Sequence, residues 1–441
     1  MSIADRLRGL LQKISEPIQK RLKIDARYLL GGSISLVMYQ ALVIAGNFIL
    51  SLAFANWISP ADYGQYRYVI SFASLLSSLA PLGFGSAVVK YTAEGHESSL
   101  RIAFRKNLVW SWAFVSAALG GALYYLWNHN TVLGYSLLAV AIAYPLTYGM
   151  TLFASYLIGM QKIRPAMLAA GSISLLQSVC MIVGLLFTKD PVALVVINIS
   201  SNLALNAVGY FFTDRLLKLE KHAFDQAPFV RFALHQSALG FFDMVAAQID
   251  KVLAFTMIGD APLALYLFSV AMPEQIRSLF KNFSSLITTR FARRDFRHIQ
   301  QNMARYLAIM AACSAAASIV YVFAAPFIYQ FLFPKYIAAI PYSQLFALNI
   351  FTVAAVLPQT ALQVKGLHKE QYAHKTSSNF IQIALNVIGV MYAGLWGLIY
   401  AQLAGRFISF VIVTILFYRA RERSATTPDP DSEYDTRQPA T

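Results

Sequence analysis

The run VLGYSLLAVAIAYPLTYGMTLFASYL, residues 132–157, contains no charged side chain in 26 positions. A helix of that length rises about 39 Å at about 1.5 Å per residue, enough to cross a hydrocarbon core of about 30 Å. Lipid offers no partner to stray backbone N–H and C=O groups, so such a run has to be helical. Working outward, comparable blocks occupy residues 31–57, 68–89, 108–127, 166–187 and 191–212. They resume at 233–258, 263–287, 307–327, 341–362, 378–392 and 394–417. The eleventh block is the shortest and most polar. The chain is 57% hydrophobic and 13% charged over 441 residues, with a mean hydropathy of +0.53. A soluble domain carries about 25% charged residues, so a water-facing surface is excluded and an all-α polytopic membrane protein of twelve transmembrane helices is expected.

Charge in the connections supports that count. Basic residues crowd the segment before the first block (Arg6, Arg8, Lys13, Lys20, Arg21, Lys23, Arg27) and then every second connection. The second has Lys90, Arg101, Arg105 and Lys106; the fourth has Lys162 and Arg164; the sixth has Arg215, Lys218, Lys221 and Arg231. Arg290, Arg293, Arg294, Arg297 and Arg305 mark the eighth, Lys365, Lys369 and Lys375 the tenth, and Arg419, Arg421 and Arg423 open the tail. Odd-numbered connections hold little beyond Arg67, Lys189 and Lys335. The alternation places both termini in the cytoplasm. It also explains the net charge of +15 without a nucleic-acid partner, because no single basic patch forms. Residues 1–28 read as a basic amphipathic segment on the anionic inner leaflet, and no cleavable signal peptide is expected. Residues 419–441 read as a disordered cytoplasmic tail.

The two halves repeat. Leu52-Ala53-Phe54 leads to Tyr66 as Leu253-Ala254-Phe255 leads to Tyr266, and Tyr66 and Tyr266 each precede a cation, Lys90 or Arg290, by 24 residues. Arg105 and Arg305 keep the offset of 200. Gly159-Met-Gln-Lys162 matches Gly366-Leu-His-Lys369 at 207, and Gln177 with Gly184 matches Gln382 with Gly389 at 205. Five matches in one order define a six-helix lobe at 29–215, a connector at 216–232 and a second lobe at 233–418. Six crossings per lobe make the repeats parallel, related by an axis along the membrane normal.

Ionisable residues inside spans are costly and therefore informative. The seventh block holds Asp243 and Asp250 on a stripe with Gln236, Gly240, Ala247 and Ala254. The eighth holds Glu274, Arg277, Lys281, Ser284 and Thr288 at three- and four-residue spacing, and Arg406 with Gln402 sits in the last. Such stripes face protein or a water-filled cavity. Asn198, Asn202 and Asn206 in the sixth, Asn379, Gln382 and Asn386 in the eleventh, and Tyr39, Gln40 and Asn47 in the first read chiefly as inter-helix hydrogen-bonding groups. Cys180 and Cys313 lie in apolar blocks, and neither Glu94-Gly-His96-Glu97 nor His368 with His374 has metal-site spacing. No metal and no cofactor are expected. Short external connections with little beyond Asp62, Asp190 and Asp260 speak against a membrane enzyme of polysaccharide assembly, and a Walker A sequence is missing.

Phe54-Ala-Asn-Trp-Ile-Ser-Pro-Ala-Asp-Tyr-Gly64-Gln-Tyr66 resembles the end of the first helix and following loop of bacterial polysaccharide flippases. Leu79-Ala80…Gly83-Phe-Gly85-Ser-Ala-Val-Val-Lys90-Tyr-Thr-Ala-Glu94 resembles their second helix, Gln248-Ile-Asp250-Lys-Val-Leu their seventh, and Ala324-Ala-Pro326-Phe…Leu332-Phe-Pro-Lys-Tyr336 the exit of their ninth. The family is the Wzx-type O-antigen and exopolysaccharide flippases of the multidrug/oligosaccharidyl-lipid/polysaccharide exporter superfamily, and the likeness covers roughly residues 28–418. A common family glycine is replaced here by Pro334. The resemblance implies a two-lobe carrier in the bacterial inner membrane that moves a polyprenyl-diphosphate-linked oligosaccharide outward. Membrane lipids, and possible polysaccharide polymerase and other assembly proteins, would be its partners. On that expectation Arg277, Lys281 and Arg406 line a cationic cavity for the diphosphate, since Arg meets phosphate oxygens bidentately. Asp243, Asp250 and Glu274 are candidates for coupling to an ion gradient. The competing reading is that Asp243 or Glu274 pairs with Arg277 or Arg406 to lock helices, and that Lys281 and Asp250 snorkel near span ends. A multidrug-type exporter of the same superfamily would instead want an acidic, aromatic cavity; a scaffold for a synthase complex is a further alternative.

Overall fold

The computed structural model describes residues 43–216, 225–282, 287, 291 and 294–420, which form helices and turns with no strand among the described residues. The amphipathic segment 1–28, the tail beyond 420, part of the connector, and Tyr39, Gln40, Ser284, Thr288, Arg290 and Arg293 lie outside them.

Where it is described, each of the twelve apolar blocks falls on helix, apart from residues 80–83 of the second and Ser111 of the third. The first lies on α1, Val43–Trp57. The second is broken into α2, Pro60–Leu76, a 3-10 turn Ser77–Leu79, and α3, Phe84–Ala93. Ser59 caps α2 by accepting from the Asp62 N–H at 3.1 Å, with Pro60 pre-set in the first turn. The break has a local cause: Ala80 precedes Pro81 and is forced extended, at ψ 156°. The two pieces meet at 57°. The third block is likewise bent, by 41°, between α4, Ser99–Trp110, and α5, Trp112–Trp127. There the Ser111 hydroxyl donates back to the Asn107 carbonyl at 2.7 Å, a bond that competes with the helical ladder and bends helices.

Continuous helices follow: α6, Thr131–Gly159; α7, Ile163–Phe187; α8, Pro191–Leu216; α9, Gln226–Leu253; α10, Asp260–Asn282; and α11, Phe296–Leu332. The tenth block is segmented into 3-10 turns around α12, Ile340–Phe346, and α13, Val356–Val364. The last two blocks share α14, His368–Arg419, which breaks at Ala393 (φ −139°) and Gly394 (φ 52°). The eleventh block is therefore not short: its helical arm begins at His368, ten residues before the apolar stretch, and the polar lead-in is helix too. Among the described residues six helices are long and apolar enough to cross a membrane unaided, and the two bent pairs bring the number to eight. The described part of α1 is shorter than that criterion, and α14 carries two blocks as one helix.

Contacts divide the chain into two units. One comprises the residues up to Leu267 with Ile328–Ala338; the other comprises Phe268–Phe327 with the residues from Ala339 onward. The division cuts α10 in two and places α9 with the N-terminal helices. In the first unit α6 is central and packs on α3, α5 and α8, while α9 packs on α2 and α3. Its core is Phe84, Val88, Leu152, Phe153, Tyr156 and Phe229. The strip Ile328–Ala338 is fastened there reciprocally. Lys335 Nζ donates to the carbonyls of Asn56 (2.8 Å) and Ile58 (3.1 Å), and Asn56 Nδ2 donates to the Leu332 carbonyl at 3.2 Å. The second unit has its own core around Phe296, Met303, Leu357, Leu362, Val413 and Phe417. Large apolar side chains such as Trp127, Phe187, Phe331 and Tyr392 are more than four-fifths exposed, as lipid-facing or interfacial groups should be.

Residues matched between the halves in sequence make polar contacts with different partners. Asn198 Nδ2 donates to the Tyr66 hydroxyl at 3.0 Å, and the Tyr266 hydroxyl donates to Asp250 at 2.7 Å. Gln177 accepts from Asn202 on the neighbouring helix at 3.2 Å, and Gln382 donates to the Ala401 carbonyl on the other arm of α14 at 3.3 Å. One sequence match moves. The turn after α6 is closed by the Lys162 N–H to the Leu157 carbonyl, with Gln161 at φ 60°. The turn before α14 is closed by the Leu367 N–H to the Leu362 carbonyl, with Gly366 at φ 65°. Both are Schellman-type ends, and their equivalence is 161 with 366, at offset 205. Gly159 and Gly366, matched in sequence at 207, do different jobs: only Gly366 occupies the left-handed position.

Candidate functional site

The candidate residues separate between the units. Glu274, Arg277, Lys281 and Arg406 belong to the second; Asp243 and Asp250 belong to the first.

In the second unit α10 and the second arm of α14 bring three charges together. Glu274 lies about 21 Å along α10 from its start, and Arg406 about 18 Å along its arm from Gly394, both mid-span by helical rise. Glu274 Oε1 accepts from Arg406, while its Oε2 accepts from Arg277 Nη1 at 3.4 Å. The spacing of 274 and 277 puts both on one helical face, and Pro273 stands just before the carboxylate in the helix. Arg406 is also held by its flat face: its guanidinium carbon lies 5.3 Å from the Phe346 ring centroid, a cation–π contact. One carboxylate therefore serves two guanidinium groups and leaves one positive charge in excess. Arg277 Nε is buried with no hydrogen-bond partner among the described atoms. The side chains of Arg277 and Arg406 are 26% and 25% exposed, which is tolerable at that depth only beside water or other polar groups. Glu274, Asp295 and Glu370 are all the acidic residues between 268 and 327 and between 339 and 420, so the unit up to residue 420 is strongly cationic.

Lys281, one turn beyond Arg277, is exposed and does not join this cluster. It lines a separate cavity of ≈ 340 Å³ with Gln359, Gln363, Gln371, His374 and Lys375. From sequence alone Lys375 reads as a topological anchor and His374 as half of a pair without metal-site spacing. The glutamines at 359 and 363 share a helical face, but nothing in their spacing announced that α10, α13 and α14 would converge on them.

In the first unit Asp250 is buried, accepts from the Tyr266 hydroxyl at 2.7 Å, and has Lys251 Nζ at 3.3 Å. It ties α9 to α10 through the tyrosine and, being buried, does not snorkel from a span end as the competing reading of Asp250 expects. Asp243 lies half-buried on α9. Arg101, read from sequence only as an anchor, forms a bidentate pair with Asp214: Nε to Oδ1 at 2.6 Å and Nη2 to Oδ2 at 3.0 Å. Among the described residues no group of three His, Cys, Asp or Glu is placed to hold a metal.

The chain is similar in fold to solved transporters of the MOP superfamily. An outward-facing multidrug resistance MATE family transporter aligns with a TM-score of 0.59 and 13% identity, covering 88% of this chain and 94% of that one. A MOP superfamily transporter from Pyrococcus furiosus aligns with a TM-score of 0.56 at 13% identity, covering 88% and 94%. The lipid II flippase MurJ, in an inward closed conformation, gives 0.64 at 12% identity, covering 87% and 86%. No curated protein matches the chain by sequence. The family model for polysaccharide biosynthesis protein matches residues 29–291. The chain belongs to that family.

Proposed function

We propose that the protein is a flippase that carries a polyprenyl-diphosphate-linked oligosaccharide across the bacterial inner membrane, for O-antigen or exopolysaccharide assembly. It is a carrier and not an enzyme: two parallel six-helix lobes, 29–215 and 233–418, alternate access to a partly cationic path, with both termini in the cytoplasm. The observation that carries this reading is the pair of mid-span arginines, Arg277 and Arg406, sharing the single carboxylate of Glu274. An excess cation in the low-dielectric part of a membrane protein is expensive, and a phosphate passing through is a natural compensating charge. The family assignment supplies the glycan context. An exporter of hydrophobic cations is disfavoured by the same excess of positive charge.

Lys281 extends the path by one turn, and Glu274 is the acidic residue best placed to change partners when the diphosphate arrives or when a proton binds. Asp243 and Asp250 remain coupling candidates of the first unit, Asp250 the weaker because Tyr266 already occupies it. Purified protein in vesicles tests the reading. Arg277→Ala combined with Arg406→Ala should slow translocation of a lipid-linked repeat unit by about tenfold or more, as losing charge-assisted contacts implies; unchanged transport would refute the cationic path. In cells, deletion of the gene should trap lipid-linked repeat units on the cytoplasmic face, and the absence of any accumulation in a strain with no redundant carrier would sink the assignment.

A further inference from the structure

The polar cavity at the end of α10 is not accounted for by the arginine pair. It is formed by Lys281 from α10, Gln359 and Gln363 from α13, and Gln371, His374 and Lys375 from the first arm of α14. Two ammonium groups, an imidazole and three carboxamides converge there, and no carboxylate is among its lining residues. Two of these groups have defined partners that fix the wall: Gln371 Nε2 donates to the Leu362 carbonyl at 2.9 Å, and His374 Nε2 lies 3.0 Å from the Ser409 hydroxyl. Among the described residues Lys281 makes no ion pair. A concave site rich in donors and cations and free of acid is built for an anion bearing several oxygens.

Its surroundings say which anion. A second cavity, of ≈ 320 Å³, is walled mainly by apolar side chains including Phe280, Tyr306, Met310 and Leu357, with Arg294 the one charged residue in its lining. Consecutive residues line the two spaces: Phe280 faces the apolar one and Lys281 the polar one, as do Leu357 and Val356 respectively. A cationic pocket set beside an apolar one matches an amphiphile, with its phosphate at Lys281 and Lys375 and its hydrocarbon against Phe280 and Leu357.

We propose that this cavity is a loading site for the terminal diphosphate of a lipid, distinct from Arg277 and Arg406 and occupied before they are reached. The proposal names an entry point for the substrate class of the proposed function and rests on that reading for its role in transport, though not for the binding itself. Lys281, one turn from Arg277, would hand the phosphate inward along one face of α10.

Binding is measured on the full-length protein in detergent, with a fluorescent polyprenyl diphosphate lacking sugar as probe. Lys281→Gln with Lys375→Gln should weaken binding by about tenfold or more, whereas Lys281→Arg with Lys375→Arg should bind as the parent does and shows that the site tolerates substitution. Thermal unfolding of both variants checks that they are folded. Undiminished binding by the glutamine variant overturns the site. Inorganic diphosphate that displaces the probe as well as the unlabelled lipid does would overturn the lipid assignment, and equal displacement by phosphatidylglycerol would overturn the terminal diphosphate. If the probe binds as expected but purified protein moves no lipid-linked glycan, the loading site stands and the proposed function falls.

Discussion

Tyr66 and Tyr266 are 200 positions apart, and each uses its hydroxyl to hold a polar side chain inside the helices, Asn198 in one case and Asp250 in the other. The two bonds differ in consequence. Removing the Tyr266 hydroxyl leaves a buried carboxylate without that donor, so Tyr266→Phe should cost about 1–2 kcal/mol, near the upper end for intramembrane hydrogen bonds. Tyr66→Phe removes an acceptor from a neutral amide and should cost about half as much. Unfolding in mixed micelles would rank them, and equal costs would show that Lys251 serves Asp250 as well as the tyrosine does. The arms of α14 offer a steric counterpart. A Cβ at Gly389 would collide with the Gly397 backbone, and one at Gly397 with that of Gly389. Gly389→Leu should cost about 3 kcal/mol or abolish the folded state, because overpacking here strikes main chain instead of a movable side chain. The sequence showed Gly389 as half of a repeat match, and it showed Asp250 and Tyr266 without joining them. Pairing depends on which faces two helices turn toward each other, and no residue spacing within one helix records that.

At the scale of elements, the apolar blocks were legible because twenty apolar residues have one solution in lipid, and each falls largely on helix. The interruptions were not. Pro81 signals the kink that separates α2 from α3, but the break at Ser111 has no proline and stems from a serine bonding its own helix. Segmentation of the tenth block into 3-10 turns around α12 has no sequence mark that we can identify. The turns at 161 and 366 show a different limit: identity pointed to offset 207, whereas the carbonyl each turn must satisfy fixes 205. Gln161 therefore holds a left-handed conformation that Gly366 holds without strain. Gln161→Gly should stabilise the end of α6 by a few tenths to about 1 kcal/mol, while Gly366→Gln should destabilise the corresponding turn by about 1 kcal/mol. Opposite signs in thermal shifts would establish the equivalence, and like signs would dissolve it. Arg101 and Asp214 join α4 to α8 at two nitrogens; being partly solvated, the pair should show a coupling of about 1 kcal/mol or less in a double-mutant cycle.

For the molecule as a whole, alternation of basic residues argued for twelve crossings, and this is directly testable. With Cys180 and Cys313 replaced, cysteines placed at Gln161 and at Lys189 should react with a membrane-impermeant reagent from opposite faces. Labelling from one face would break the topology. The contact units do not follow the sequence repeat, since α9 and the strip Ile328–Ala338 group with the N-terminal helices. A repeat records how the chain arose, whereas contacts record what packs in one conformation, and sequence alone reports the first.

The break in α14 bears on how the chain reaches the membrane at all. Arg406 stands alone in its arm until it meets Glu274, and inserting an isolated central arginine costs about 2.5–3.5 kcal/mol on biological insertion scales. Because only Ala393 and Gly394 separate the arms, the second cannot partition independently of the first. The apolar residues flanking Arg406 have to offset its charge while both arms enter together as a preassembled hairpin, so lengthening the link with a flexible polar insert would penalise biogenesis well before it disturbed the finished protein.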